Sequence, residues 1–178
     1  MAAPEILTIG HSTHPIERFI HLLRANGVAL LADVRRFPGS RRHPQFNSAA
    51  LEAALGEAGI GYARLGEALG GRRRARVGSR HSGWRVAAFR GYADHMETPE
   101  FAAGLERLEA LARARRTAFA CAEADWRRCH RRLIADALAV RGWRVLHVLA
   151  DGRTEEHVLS EHAVARQEGL LYPAEPER

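Results

Sequence analysis

The feature that most constrains the fold of this chain is a series of short apolar runs, each leading into polar residues capable of chemistry. The five runs are Ile6–Ile9, Val28–Ala32, Gly61–Ala63, Thr117–Ala120 and Val145–Leu149. Helix-like stretches separate most of them, and parallel strands require such crossover connections. We therefore predict an α/β fold of one domain, residues 1–178, with a Rossmann-like, three-layer arrangement. Its central sheet should be mostly parallel, with about five strands flanked by helices.

Capping and turn residues predict where several helices begin and end. Pro15 is placed to open the first helix, which Asn26 and Gly27 should close, and Thr98 is a good cap for a later one. A further helix is predicted over Trp126–Arg141, with Asp125 as its cap. That start would place Cys129 in the first or second turn of the helix.

Two stretches are predicted to be loosely structured. Residues 65–83 are rich in glycine and arginine and indicate a long mobile loop. The tail, residues 154–178, is predicted to be weakly ordered and to hold at most one short helix. Arginines from Arg72 to Arg80 are followed by Trp84, Phe89 and Tyr92, a mixture typical of single-stranded nucleic-acid binding. A solvated basic loop over core aromatic residues explains the same pattern.

Composition favours an anionic partner and gives no indication of a membrane. The formal net charge is +6, and all 27 basic residues are arginines. No apolar run approaches the length of about 20 residues that spans a bilayer. The N-terminus lacks the features of a signal peptide, so a cytoplasmic location is expected. In that compartment the two cysteines should be free thiols rather than a structural disulfide.

If the apolar runs are parallel strands, the residues that follow them gather at the edge where open α/β folds bind ligands. Glu123 is well placed as a general base, with His11 as the complementary acid or donor. Asp33 and Cys121 complete the candidate catalytic set, with Cys121 as a possible nucleophile. Each has a structural alternative: Glu123 pairing with an arginine, His11 ordering a turn, Asp33 in an ion pair, Cys121 in the core.

A second group is predicted to bind the substrate. Its members are Ser12, Arg35, Arg36, Ser40, Tyr62, Cys129, His130, Arg131 and Asp151. Guanidinium groups match phosphate oxygens, and we expect Asp33 to orient Arg35 towards an anion. Backbone amides and hydroxyls of residues 10–13 form a further candidate anion cradle.

The cysteines and histidines are not assigned as metal ligands. The spacing of Cys121, Cys129 and His130 matches no common zinc motif. If Cys129 and His130 lie in a helix, their side chains diverge by about 100°. We expect no metal and no cofactor, although a zinc site including His11 is the alternative to packed core residues.

Several motifs that occur in order resemble those of the domain-of-unknown-function 488 family. They are residues 8–12 (TIGHS), Asp33-Val-Arg35 with Pro38 and Ser40, Leu69-Gly-Gly71, Cys121-Ala-Glu123, Cys129-His-Arg131 and residues 147–152 (HVLADG) with His157. The resemblance runs from Ile6 to about His157. It implies a compact α/β domain and a shared polar set, but no activity.

Three functions are compatible with these features. The leading hypothesis is an enzyme that acts on a phosphate-containing substrate such as a nucleotide or nucleic acid, with hydrolysis as the expected reaction. One alternative is a nucleic-acid-binding module without catalysis. Another is a thiol or metal sensor built on Cys121 and Cys129. The sequence leaves the oligomeric state open.

Overall fold

The structure is a computed structural model that describes residues 1–174. The strands are β1 (Glu5–Gly10), β2 (Leu30–Asp33), β3 (Gly61–Arg64), β4 (Thr117–Cys121), β5 (Arg144–Val148), β6 (Thr154–Glu156), β7 (Val164–Arg166) and β8 (Gly169–Leu171). The α-helices are α1 (Ile16–Ala25), α2 (Ser48–Glu57), α3 (Gly66–Leu69), α4 (Ala87–His95), α5 (Pro99–Ala114) and α6 (Arg131–Val140). Short 3-10 turns cover Pro44–Phe46 and Trp126–Arg128.

Six strands form the central sheet in the order β3-β2-β4-β1-β5-β6. The first five run parallel, and β6 pairs antiparallel with β5 at the edge. The predicted mixed α/β fold with a mostly parallel sheet is therefore confirmed, with one more strand than expected.

Neighbouring residues of a strand point to opposite faces of the sheet, so both faces carry apolar side chains. Helices cover both faces. Ile6 packs in one core with residues of α4, α5 and α6, whereas Leu7 packs in the other with residues of α1 and α2. The predicted helix boundaries at Asn26 and Thr98 are also confirmed. Thr98 accepts a hydrogen bond from the backbone N–H of Phe101 at 3.2 Å.

The predicted start of the helix after β4 is wrong. Asp125 does cap a turn, accepting from the N–H of Arg127 at 3.0 Å, but that turn is a 3-10 turn of three residues. Cys129 then adopts an extended conformation, with φ −120° and ψ 149°, and α6 begins only at Arg131. Cys129 and His130 therefore precede the helix, and the expected divergence of their side chains does not apply.

The helix predicted in the tail is also absent from the described residues. Residues 154–174 contain β6 and the β7–β8 hairpin, whose turn ends at Gly169 with φ +126°. A positive φ of this kind favours glycine, so Gly169 permits the hairpin turn. The segments between the short strands β6, β7 and β8 contain too few residues for a stable helix. The remainder of the predicted tail, residues 175–178, lies outside the described residues.

The stretch 65–83 contains the short helix α3 and is otherwise irregular. The mobility predicted for it stays a prediction. None of the helices in residues 1–174 is both long and apolar enough to cross a membrane.

Candidate functional site

The candidate site lies at the carboxyl end of the parallel sheet, where β1 and β4 are neighbours. The chain leaves β1 towards α1 on one face and leaves β4 towards α6 on the other, which creates a switch point. Directly above these strands, however, the two connections are joined. The N–H groups of His11 and Ser12 donate to the carbonyls of Cys121 and Ala122, both at 2.9 Å. Those two amides are therefore not free to form the expected anion cradle.

The opening lies instead around Ala122. Three cavities of about 390, 160 and 410 Å³ all border Arg72 and Ala122, and together they are here called the cleft. The predicted site residues that line it are His11, Ser12, Arg35, Arg36, Ser40, Cys121, Glu123, Cys129 and His130. Those that do not line it are Asp33, Tyr62, Arg131 and Asp151.

Asp33 holds Arg35 from behind the cleft. Its carboxylate is 1% exposed and accepts from Nε and Nη2 of Arg35 at 2.8 and 2.6 Å. The Tyr62 hydroxyl donates to the same carboxylate at 2.6 Å, and burial together with this hydrogen bond raises the pKa of Tyr62 to about 12. Asp33 thus has no capacity left for a substrate, whereas Arg35 is fixed at the cleft wall.

His11 sits between Arg35 and an aromatic ring. Its imidazole stacks on Phe46 with a centroid distance of 4.1 Å. Burial lowers the pKa of His11 to about 4, so the ring is neutral at pH 7. Nε2 faces Nη1 of Arg35 at 3.2 Å and Nδ1 faces the Ser12 carbonyl at 2.9 Å. The neutral ring therefore accepts from Arg35 and donates to Ser12, which favours a positioning role over proton donation to a substrate.

Glu123 and Arg131 occupy different depths. The Glu123 side chain is exposed at the cleft, and its Oε1 accepts from the Asp125 N–H at 3.1 Å. Arg131 is 1% exposed and donates to Thr8 Oγ1 at 2.9 Å and to the Glu123 carbonyl at 2.5 Å. Arg131 therefore supports the backbone that presents Glu123 and lies beneath the surface that a ligand could reach.

Cys121, Cys129 and His130 form a compact cluster in the cleft. Nδ1 of His130 lies 3.9 Å from Sγ of Cys121 and 3.7 Å from Sγ of Cys129. The pKa of Cys129 is held well below its usual value, first because the Cys121 thiol hydrogen-bonds to it and also because His130 is adjacent.

The arginine-rich segment is largely engaged in internal contacts. Arg73 donates to backbone carbonyls of α3 and its neighbour, and Arg76 and Arg80 pair with Glu97. Trp84 is 8% exposed and packs in the core. Arg72, in contrast, is exposed at the cleft. The pattern that suggested base stacking along this segment is therefore mostly structural.

A buried polar network was not anticipated from the sequence. His147 contacts His157, which contacts Asp136, with ring-to-partner distances of 2.9 and 2.8 Å. The Tyr172 hydroxyl donates to the same Asp136 at 2.9 Å. Asp151 lies elsewhere, in an exposed pair with Arg153. His157 was only one residue of a motif, and its pairing with Asp136 spans 21 positions, which no local pattern indicates.

A family model described as "Domain of unknown function DUF488" matches residues 15–138. The chain belongs to this family. No curated protein and no solved structure gives a match. In this DUF488 protein the matched range includes Asp33, Arg35 and the Cys121–Arg131 segment. The residues of β1 lie outside it, as do His147, His157 and Tyr172 of the buried network, whereas Asp136 of that network lies inside it.

Proposed function

We propose that this DUF488 protein is an enzyme whose cleft binds a phosphate-bearing ligand, a nucleotide or a nucleic-acid end. The charge of the cleft lining is the observation that supports this best. Arg35, Arg36, Arg72 and Arg128 line it, against the single carboxylate of Glu123. Guanidinium groups at a concave surface favour phosphate oxygens, which they bind through paired hydrogen bonds.

The arginines contribute in two ways. Arg35 is neutralised by Asp33, so it offers directed N–H groups rather than net charge. Within residues 1–174, Arg36, Arg72 and Arg128 have no carboxylate within ion-pair distance. Their positive charge is therefore available to attract an anion, which Arg35 would then orient.

Phe37 favours a nucleotide over inorganic phosphate. Its side chain is 62% exposed, unusually so for a large apolar residue at a cleft. The guanidinium carbons of Arg36 and Arg72 lie 5.4 and 5.8 Å from the ring centroid. A nucleobase stacks on such an arginine-flanked aromatic surface while its phosphate contacts the arginines.

Glu123 is the group best placed for catalysis. It borders both of the larger cavities, and it is the only carboxylate among the described residues that line the cleft. An exposed carboxylate next to bound phosphate can accept a proton from an attacking water. In this proposal Glu123 is the general base of a hydrolysis, and His11 positions Arg35.

The first prediction concerns binding. Arg72→Ala should weaken the binding of a nucleoside triphosphate about 10-fold or more, because it removes a charge-assisted hydrogen bond. Arg107→Ala, which removes an exposed arginine of α5, should leave binding unchanged. Phe37→Ala should weaken nucleotide binding but not pyrophosphate binding. Isothermal titration calorimetry of wild type and the three variants over a salt series measures these affinities, and equal losses for Arg72→Ala and Arg107→Ala would contradict a specific cleft.

The second prediction concerns turnover. Glu123→Gln should bind the ligand as well as wild type does and should reduce its hydrolysis about 100-fold or more, because general-base catalysis contributes that much. Phosphate release and gel analysis of short DNA and RNA strands measure product. Glu161→Gln, an exposed acid away from the cleft, is the matched control. Binding without product for any substrate would instead identify a binding module.

A further inference from the structure

We propose that Cys121, Cys129 and His130 bind a single Zn²⁺ ion, with a fourth ligand position open to the cleft. Their three ligand atoms all lie within 4.8 Å of one another. Thiolate and imidazole together are the donors that zinc prefers, and no carboxylate oxygen belongs to the set. The inference does not depend on the proposed phosphate ligand, since metal content can be measured without one.

The distances fit tetrahedral coordination. With Zn–S bonds of about 2.3 Å and Zn–N bonds of about 2.0 Å, neighbouring donors are separated by roughly 3.5–3.8 Å. The two sulfur-to-Nδ1 distances are 3.9 and 3.7 Å. Each sulfur-to-Nδ1 distance therefore has to close by at most a few tenths of an ångström, and the two sulfurs lie within 4.8 Å of each other.

The histidine is oriented as a ligand. Its Nε2 lies 3.1 Å from the Val34 carbonyl, which can only accept, so Nε2 carries the hydrogen. In the neutral ring the lone pair is then on Nδ1, the atom that faces both sulfurs. Ligating histidines in proteins commonly donate their other N–H to a carbonyl in this way, which fixes both the tautomer and the ring plane.

Gly71 leaves the side of the ring next to Nδ1 uncovered. A Cβ at this position would lie 2.9 Å from His130 Nδ1 and 3.3 Å from its Cγ. The φ of Gly71 is not in the left-handed region, so its backbone conformation does not require glycine. A side chain at position 71 would press on the face of the His130 ring and displace Nδ1 from the two sulfurs, so glycine here lets the ring keep its ligand position.

The open position faces the cavity of about 390 Å³, which also borders Arg72, Glu123 and Arg128. Three protein ligands and one exchangeable position are typical of catalytic zinc sites, whereas structural sites are closed by four protein ligands. A water or a ligand anion can occupy that position. The site would therefore place a Lewis acid in the same cleft as the arginines.

The test measures metal content and coordination in the full chain. Reduced, chelator-stripped protein is dialysed against Zn²⁺ and analysed by mass spectrometry, and affinity is measured against a chromophoric chelator. We expect one tightly held zinc per chain in wild type and in His21→Gln, which changes an exposed histidine. Cys121→Ser, Cys129→Ser and His130→Gln should each lose it. Circular dichroism checks that the variants are folded.

Two further measurements keep the proposal falsifiable if a ligand variant fails to fold. Co²⁺-loaded wild type should show a sulfur-to-cobalt charge-transfer band and intense visible bands of tetrahedral cobalt. Gly71→Ala should weaken zinc binding about 10- to 100-fold. Gly56→Ala, whose Cβ meets nothing within 4 Å, should not weaken it. Reduced, folded wild type without bound zinc, or cobalt spectra without a sulfur band, would overturn the proposal.

Discussion

Replacing Asp33 with asparagine should destabilise the protein by about 3–5 kcal/mol, because breaking a buried pair leaves an uncompensated charge. Asp33 and Arg35 are 1% and 8% exposed, and the pair is bidentate. The Tyr62 hydroxyl would also lose its charged acceptor. Denaturant-induced unfolding followed by circular dichroism measures the free energy of unfolding.

Three further variants separate the effect of the buried charge from the loss of a hydrogen bond. Tyr62→Phe should cost only about 0.5–1.5 kcal/mol, the value of one hydrogen bond. Asp151→Asn breaks an exposed pair with Arg153 and should cost at most about 1 kcal/mol. Adding Arg35→Met to Asp33→Asn should recover part of the stability. If Asp33→Asn costs no more than Asp151→Asn, the buried pair does not stabilise the fold.

The Asp33–Arg35 contact also illustrates what the sequence could predict. Two residues apart in an extended chain, the side chains lie on the same side, so their pairing follows from local geometry. The contact from Arg35 to His11 spans 24 positions, and the stacking of His11 on Phe46 joins two separate connections. Such contacts depend on the order of the strands, which the apolar runs do not encode. The strands were therefore predictable, but the state of His11 was not.

At Cys121, Cys129 and His130 it is instead a local prediction, the start of the following helix, that was wrong. Asp125 was expected to cap the helix after β4 but caps a 3-10 turn instead, because the same residue type caps 3-10 turns and α-helices alike. The extended conformation of Cys129 ends that turn and brings its sulfur towards His130. A difference of five residues in the start of α6 thus decides whether the side chains of Cys129 and His130 diverge or lie together.

The buried histidines lead to the prediction with the other large effect: His11 and His147 together should make the protein lose about 4 kcal/mol of stability between pH 7.5 and pH 5. Burial also lowers the pKa of His81 and His95, which adds to this loss. Burial lowers the pKa of His11 to about 4 and, together with the neighbouring His157, lowers that of His147 to about 2. In the unfolded chain both titrate near 6.5. Below that pH the unfolded state binds more protons, so the free energy of unfolding falls as the pH falls. At pH 7.5 both rings are neutral in either state, and the stabilisation is complete.

Each histidine should account for about half of this loss, since each protonates in the unfolded state and stays neutral in the folded one at pH 5. His11→Gln should therefore reduce the difference in unfolding free energy between the two pH values by about 2 kcal/mol, whatever it does to stability at pH 7.5. His147→Asn should do the same, although it also disturbs the stacking on Trp126 at 3.9 Å. His21→Gln, at an exposed position, should leave the difference as in wild type. Denaturant titrations at both pH values measure it, and a wild type equally stable at pH 5 and 7.5 would show that these rings protonate in the folded state. In that case His11 would be charged, could not accept a hydrogen bond from Arg35, and would not position that arginine at the cleft.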